Sequence, residues 1–246
     1  MRKVKLGFVP LHRRPFDESW ALELKRRFVE RITADFGAVV DLVYPTERDT
    51  KLGLVSDDSD AEALAERFAR EGVDGIVIAA LTFGDELAGA RVAELLGKPV
   101  AVYATKEPPT LPGGFRRSDS FCGTLSLASA LYRRGIPFVF GGLVLPEDPE
   151  FRRSFDSFVR AVNVVRTFVG AKVGAVGPRP ERFETVTFNE AAMAARFKQR
   201  LVHVELVEVI EEARRLSDDD PRVARVLSEV SAQLDVSSVP REALLK

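Results

Sequence analysis

Blocks of apolar residues at two different spacings alternate along the chain. Residues 5–11 form a short apolar run ended by a basic cluster, which predicts a buried strand with a loop at its carboxyl end. Asp17 can cap a following helix, in which Trp20, Leu24, Phe28 and Ile32 recur at near-helical spacing up to Phe36 and Gly37. Residues 39–43 read as a second strand. After a polar stretch containing Asp57, Asp58 and Asp60, one helical face is lined by Ala61, Leu64, Ala65 and Phe68, and Gly72 stops it. Residues 75–80 are a continuous, largely β-branched run of the kind found in parallel strands covered on both faces.

The alternation continues with a helix opened by Asp85 and carrying Ala88, Val92, Leu95 and Leu96, then a fourth strand over 99–104. Residues 105–122 are rich in Pro, Gly, Arg and Ser and exceed the usual length of a strand-to-helix connection. A helix over about 124–134 and a strand over 138–142 follow. The next helix, ending near Gly170, places Phe155, Phe158, Val159, Val162 and Val165 on its buried side. Residues 171–177 restart the pattern with a strand. A polar loop over 178–187, a helix beginning at Asn189, a strand over 201–206 and a charged helical remainder complete the chain.

This order predicts a doubly wound parallel α/β sheet in three layers, Rossmann-like or flavodoxin-like. A boundary near Val169 divides an N-terminal α/β domain, 1–170, from the beginning of a second, 171–246. With two strands, the second reads as incomplete. Ligands of such sheets lie outside the carboxyl ends of the strands, so the loops beginning at Leu11, Leu81, Ala104, Gly142 and Gly177 are where chemistry is expected.

Charge narrows the partners. Thirty-six Lys and Arg balance thirty-seven Asp and Glu, which leaves no excess for a nucleic acid or an anionic membrane. The chain has no apolar run long enough to span a membrane and no signal-peptide core after Met1, and it reads as cytoplasmic. The single Cys122 excludes an internal disulfide, and two histidines are too few for a histidine-rich metal site. No phosphate-binding glycine loop and no serine nucleophile elbow occurs.

Individual residues then carry paired readings. His12 directly follows the first strand beside Arg13 and Arg14, where three donors can grip a polyol or carboxylate, or can form a solvated basic turn. Phe83 is either core or a loop-tip ring on which a sugar face stacks, and Asp85 reads as a helix cap. Arg117 and Asp119 form an ion pair or reach into the ligand cleft. Cys122 reads as a small buried thiol beside Phe121, for want of a neighbouring base. His203 reads as a polar-face strand residue on the side of Glu205. The alternating Arg and Glu of 178–185 are a charge mesh in a stiffened loop that can also serve binding or an interface.

Four blocks in order resemble the L-fucose/L-arabinose isomerase family, closest to its L-fucose isomerase-like branch. They are Gly7-Phe8-Val9-Pro10-Leu11-His12-Arg13, Leu81-Thr82-Phe83-Gly84-Asp85, Arg116-Arg117-Ser118-Asp119-Ser120-Phe121-Cys122-Gly123, and Val176-Gly177-Pro178-Arg179-Pro180-Glu181-Arg182-Phe183-Glu184-Thr185. The resemblance implies aldose to ketose interconversion through an enediol, assisted by manganese. It further implies sugar contacts from the loops after the first and third strands, often to a neighbouring subunit's site, and hence a homo-oligomer. Arg13 and Phe83 are the matching positions, with His12, Arg117 and Asp119 weaker candidates for the same cleft. The family's metal ligands and proton-moving carboxylates fall later than this chain reaches, so no catalytic or metal residue is expected within it. The other reading is a sugar or small-molecule binding α/β module without chemistry.

Overall fold

The computed structural model describes residues 2–245. The chain divides into two compact units, one up to Thr167 and one from Phe168. In the first, β1 (Val4–Leu11), β2 (Val40–Val43), β3 (Gly75–Ala80), β4 (Val100–Thr105) and β5 (Phe138–Val144) form one all-parallel sheet in the order β2-β1-β3-β4-β5. Helices α1 (Glu18–Phe36) and α5 (Pro149–Phe168) pack on one face. Helices α2 (Asp58–Glu71), α3 (Glu86–Leu96) and α4 (Ser120–Arg133) pack on the other. This is the doubly wound α/β class that the apolar pattern predicts.

Alternation along the strands feeds the two cores. Leu6, Phe8, Val77, Ala79, Ala101 and Tyr103 point to α1 and α5, while Val9, Leu11, Ile76, Ile78, Val100 and Val102 point to the other three helices. Both faces are covered, so every residue of β3 and β4 is buried, which is why their sequences are apolar up to Thr105, whose hydroxyl donates to Ala80 O at 3.1 Å. Each aliphatic side chain taken fully out of water there contributes about 1.5–3 kcal/mol. Asp17, Asp57 and Asp85 cap α1, α2 and α3 by accepting from the amides of Trp20, Asp60 and Ala88.

At the β5 edge the sheet is less well covered, and Val139 and Phe140 are each 52% exposed. A register irregularity beside Tyr103 lets Gly141 approach its ring, where a β-carbon would lie 2.2 Å from the nearest ring atom. The Tyr103 hydroxyl is 3.2 Å from Ser154 Oγ on α5.

The structure adjusts several expected boundaries. Helix α4 begins at Ser120 rather than near Thr124, because Glu107 accepts the Ser120 amide and satisfies the first turn. Strand β5 runs on to Val144. Val165 is exposed, since it borders the open apolar cavity beside Phe138 and Val139 instead of packing into the core with Val159 and Val162.

The second unit pairs β6 (Lys172–Val176) with β7 (Arg200–Val204) in parallel, with α6 (Glu190–Phe197), α7 (Leu206–Arg215), α8 (Pro221–Gln233) and α9 (Arg241–Leu244). The strand expected over 201–206 ends at Val204. The Glu205 amide turns to the Glu208 side chain at 3.2 Å, and the chain enters α7. Among the described residues, Gln199 is the buried one of this unit, and its amide donates to Phe168 O at 3.0 Å. No helix among the described residues is long and apolar enough to cross a membrane.

Candidate functional site

The chain leaves β1 for β2 on one side and later returns to place β3 on the other, so the carboxyl ends of β1 and β3 flank the point where the strand order reverses. Parallel sheets open a crevice there, because the two adjoining connections diverge to opposite faces. The register sets Leu11 beside Ala80, which puts His12 next to Leu81 and Thr82. His12 is only 2% exposed. Its backbone N–H donates to Val55 O at 3.0 Å, and its Nδ1 is 3.0 Å from Thr82 Oγ1. Burial lowers the His12 pKa below its ordinary value, with Glu18 opposing and Arg14 reinforcing the shift.

Arg13 turns towards the β3–α3 connection. Its Nη2 donates to Asp85 at 3.1 Å and to Glu86 at 2.5 Å, and its guanidinium lies 5.0 Å from the centre of the Phe83 ring. Phe83 in turn stacks on Phe16 with ring centres 5.8 Å apart. Asp85 therefore has two roles, capping α3 and holding Arg13.

The long loop after β4 closes on the same edge. Arg117 Nε donates to Asp17 at 2.6 Å, Asp17 N–H donates back to Arg117 O at 3.1 Å, and the guanidinium packs over Trp20. Burial raises the Asp17 carboxyl, but the hydrogen bonds from Arg117 and from the Trp20 amide outweigh it and hold the group below its usual range. Arg117 does not pair with Asp119, whose partner is Arg116 at 3.2 Å, because the loop turns Arg117 back towards α1. The loop and α4 are pinned to the sheet by Ser120, whose hydroxyl donates to Ala80 O and accepts from the Thr105 amide. Gly123 lets α4 approach the Phe83 carbonyl, since a β-carbon there would sit 1.6 Å from that oxygen.

Cys122 is exposed rather than buried, because it faces outward in the first turn of α4 while Gly123 and Thr124 take the packed side. The structure thus gathers His12, Arg13, Phe83 and Arg117 on the carboxyl edge of β1, β3 and β4, with Asp119 on the same loop as Arg117. Sequence reasoning missed Thr82, although it follows β3 as His12 follows β1. Asp17 both caps α1 and holds Arg117, and nothing in the sequence marks Lys51 and Asp57 as site residues.

Those last two residues line, with His12, Arg13, Arg14 and Glu18, a cavity of about 400 Å³ between the connections β1–α1 and β2–α2, within the size range of small-molecule sites. A larger apolar cavity of about 560 Å³ lies at the amino ends of β4 and β5, against Val100, Phe138 and Phe158. It offers few polar groups to orient a ligand. In the second unit, Arg179, Phe188 and His203 line a cavity of about 480 Å³ at the carboxyl ends of β6 and β7, where the loop over 178–187 lies. His203 is exposed there.

Residues 7–169 match the family model for the fucose/sulfoquinovose isomerase N-terminal domain. Among curated proteins, a sulfoquinovose isomerase from Clostridium sp. (strain MSTE9) is 24% identical over 148 residues. That alignment covers 59% of this chain and 32% of the relative's own length.

Proposed function

We propose, from the premise that this chain belongs to the fucose/sulfoquinovose isomerase N-terminal domain family, that it is the sugar-binding and assembly portion of an aldose–ketose isomerase. The observation that carries this reading is the convergence of three loops, with Arg13, Phe83 and Arg117, at the switch point of the sheet. Arg13 uses Nη2 on Asp85 and Glu86, which leaves the rest of its fork for sugar oxygens. Phe83 supplies the apolar ring against which the carbon face of a sugar packs. The relative's name makes sulfoquinovose one candidate substrate beside fucose. His12 and Asp119 belong to the same cleft in this reading.

Manganese and the enediol route enter the proposal through the family relationship, manganese to polarise the sugar oxygens at the reacting carbons. The residues of this cleft do not fit the metal. No group of three His, Cys, Asp or Glu side chains that could hold a metal occurs among the described residues, and Asp85 and Glu86 are already held by Arg13. The reading therefore assigns the metal and the proton-moving groups to other parts of the assembled isomerase. Exposed Val139 and Phe140 on the β5 edge support self-association.

Titration calorimetry with L-fucose and with sulfoquinovose tests the reading. Arg13→Ala is expected to weaken binding of the accepted sugar about tenfold or more, ~1.4 kcal/mol. Equal affinity in parent and variant would remove Arg13 from the site, and heats absent for every sugar would overturn the sugar-binding reading. Sedimentation of the same sample as a single chain would remove the assembly part.

A further inference from the structure

The connection from β4 to α4 crosses the carboxyl edge of the sheet rather than running beside it. Residues 106–116 are exposed or half-buried throughout, and their tip is a turn closed on itself by the bond from Leu111 N–H to Phe115 O at 3.0 Å. Residues 117–120 then pass from one face of the sheet to the other. Arg117 lies at the start of α1, on one face. Ser120 opens α4, on the other, with its hydroxyl between Ala80 O and the Thr105 amide at the carboxyl ends of β3 and β4. These four residues therefore span the crevice at the switch point between β1 and β3.

The two ends of the crossing are fastened differently. At Ser120 the bonds are buried and join the roots of the connection to the sheet, with Glu107 accepting the Ser120 amide at 2.8 Å. At Arg117 the fastening rests on one residue. Its Nε donates to Asp17 Oδ2 at 2.6 Å, its carbonyl accepts from the Asp17 amide at 3.1 Å, and its guanidinium lies 5.2 Å from the centre of the Trp20 ring. Ser118 opposes this closure: it is 1% exposed, and its hydroxyl has no partner among the described residues. Closing thus carries a desolvation cost that water relieves on opening. An exposed segment held by few contacts, and opposed by such a cost, opens locally at less free energy than the whole unit needs to unfold.

We propose that residues 108–119 are a strap closed across the crevice by a latch of Arg117 on Asp17 and Trp20, and that the strap opens between its fixed roots at Thr105 and Ser120 to admit a ligand while the sheet stays folded. Asp17 is the positioning residue of the latch. Its Oδ1 accepts from the Trp20 amide at 3.1 Å and its Oδ2 from Arg117, so one carboxylate starts α1 and holds the strap. The latch stands on these contacts alone; only the ligand that the open strap admits rests on the sugar-binding reading.

Limited trypsin digestion of the full chain reads the latch, because the bond after Arg117 is cut only when that side chain leaves Asp17 for the protease. When opening and closing are fast, the rate of this cut follows the population of the open form. In Asp17→Asn the one amide oxygen stays on the Trp20 amide as the cap, which turns the side-chain NH₂ towards Arg117, donor against donor. Cutting after Arg117 is expected to become about tenfold faster. Emission of Trp20, the single tryptophan, is expected to move to longer wavelength, and cutting after Arg70, inside α2, to stay unchanged. Glu23→Gln, which breaks the exposed ion pair with Arg26 on the same helix as Trp20, is expected to alter none of these. Equal cutting after Arg117 in the parent and in Asp17→Asn overturns the latch. So does a rise after Arg70 as large as that after Arg117, since the segment then opens only when the unit unfolds. Whichever of L-fucose and sulfoquinovose binds by calorimetry is expected to slow the cut after Arg117 in the parent. Binding without slowing overturns the strap as a lid and leaves the sugar-binding reading standing. Absence of binding removes that reading, and the Asp17→Asn result still decides the latch.

Discussion

His12 and His203 each sit at the carboxyl end of a parallel strand, and they end in opposite environments. His12 follows β1, which has β2 on one side and β3 on the other, so connections from both sides close over it and remove it from water. His203 belongs to β7, whose sheet has a single neighbour, β6, and it stays exposed. The same side chain near the end of a parallel strand thus becomes buried and meets a hydroxyl, that of Thr82, only where strands flank it on both sides. The contrast extends to whole units. The first buries five aromatic and aliphatic side chains of α5 between helix and sheet, whereas α6, α7, α8 and α9 of the second bury none.

The largest effect that can break this contrast is a truncation in each unit. Phe155 is fully buried, with ring centres 4.8 Å from Phe36 and 5.3 Å from Phe151. Phe155→Ala is expected to cost about 3–5 kcal/mol in urea unfolding. Leu206→Ala, at an exposed position of α7, is expected to stay within about 0.5 kcal/mol. Comparable losses at the two positions would abolish the contrast.

A smaller effect tests the closeness of the loops at the switch point. Gly123→Ala places a methyl group on the Phe83 carbonyl, so α4 or the β3–α3 connection has to move, at about 1–3 kcal/mol. The same shift should disturb Phe83 and weaken the proposed sugar binding. Unchanged stability and binding would show that the two elements do not touch in solution.

The smallest effect is the pH dependence of His12. Burial lowers its pKa in the folded chain below the ordinary 6.5, so the unfolded chain binds more protons in the window beneath that value. The stability tied to the neutral ring is complete above pH 6.5 and is lost as pH falls below it towards the lower folded pKa. His12→Gln is expected to flatten the slope of stability against pH between roughly 7 and 5. A slope of equal size in the variant would assign that dependence to other groups.

Much of the first unit was legible in the sequence because its signals are short-range. Asp17, Asp57 and Asp85 each reach an amide three residues ahead, and the apolar runs of β3 and of β4 up to Ala104 record burial on two faces. The candidate cleft was legible as a set of loops, since His12, Phe83 and Arg117 all follow parallel strands. Its internal bonds were not. The sequence allows Arg117 either to pair with Asp119, two positions away, or to reach into the cleft, whereas its partner is Asp17, one hundred positions away. Cys122 was assigned to the interior on the habits of free cysteine, but the side of α4 that packs is decided by where Gly123 meets the Phe83 carbonyl.

By itself, then, the sequence determined the alternation of strands and helices, the caps that start the helices, the doubly wound class and the resemblance to sugar isomerases carried by four ordered blocks. These depend on residues within a few positions of one another, or on motif order. Only the tertiary structure decided that Thr82 faces His12, that Arg13 is held by Asp85 and Glu86, and that Lys51 and Asp57 share a cavity with His12. Hydrogen bonds and desolvation act over a few ångströms, and strand order alone brings residues seventy positions apart within that distance.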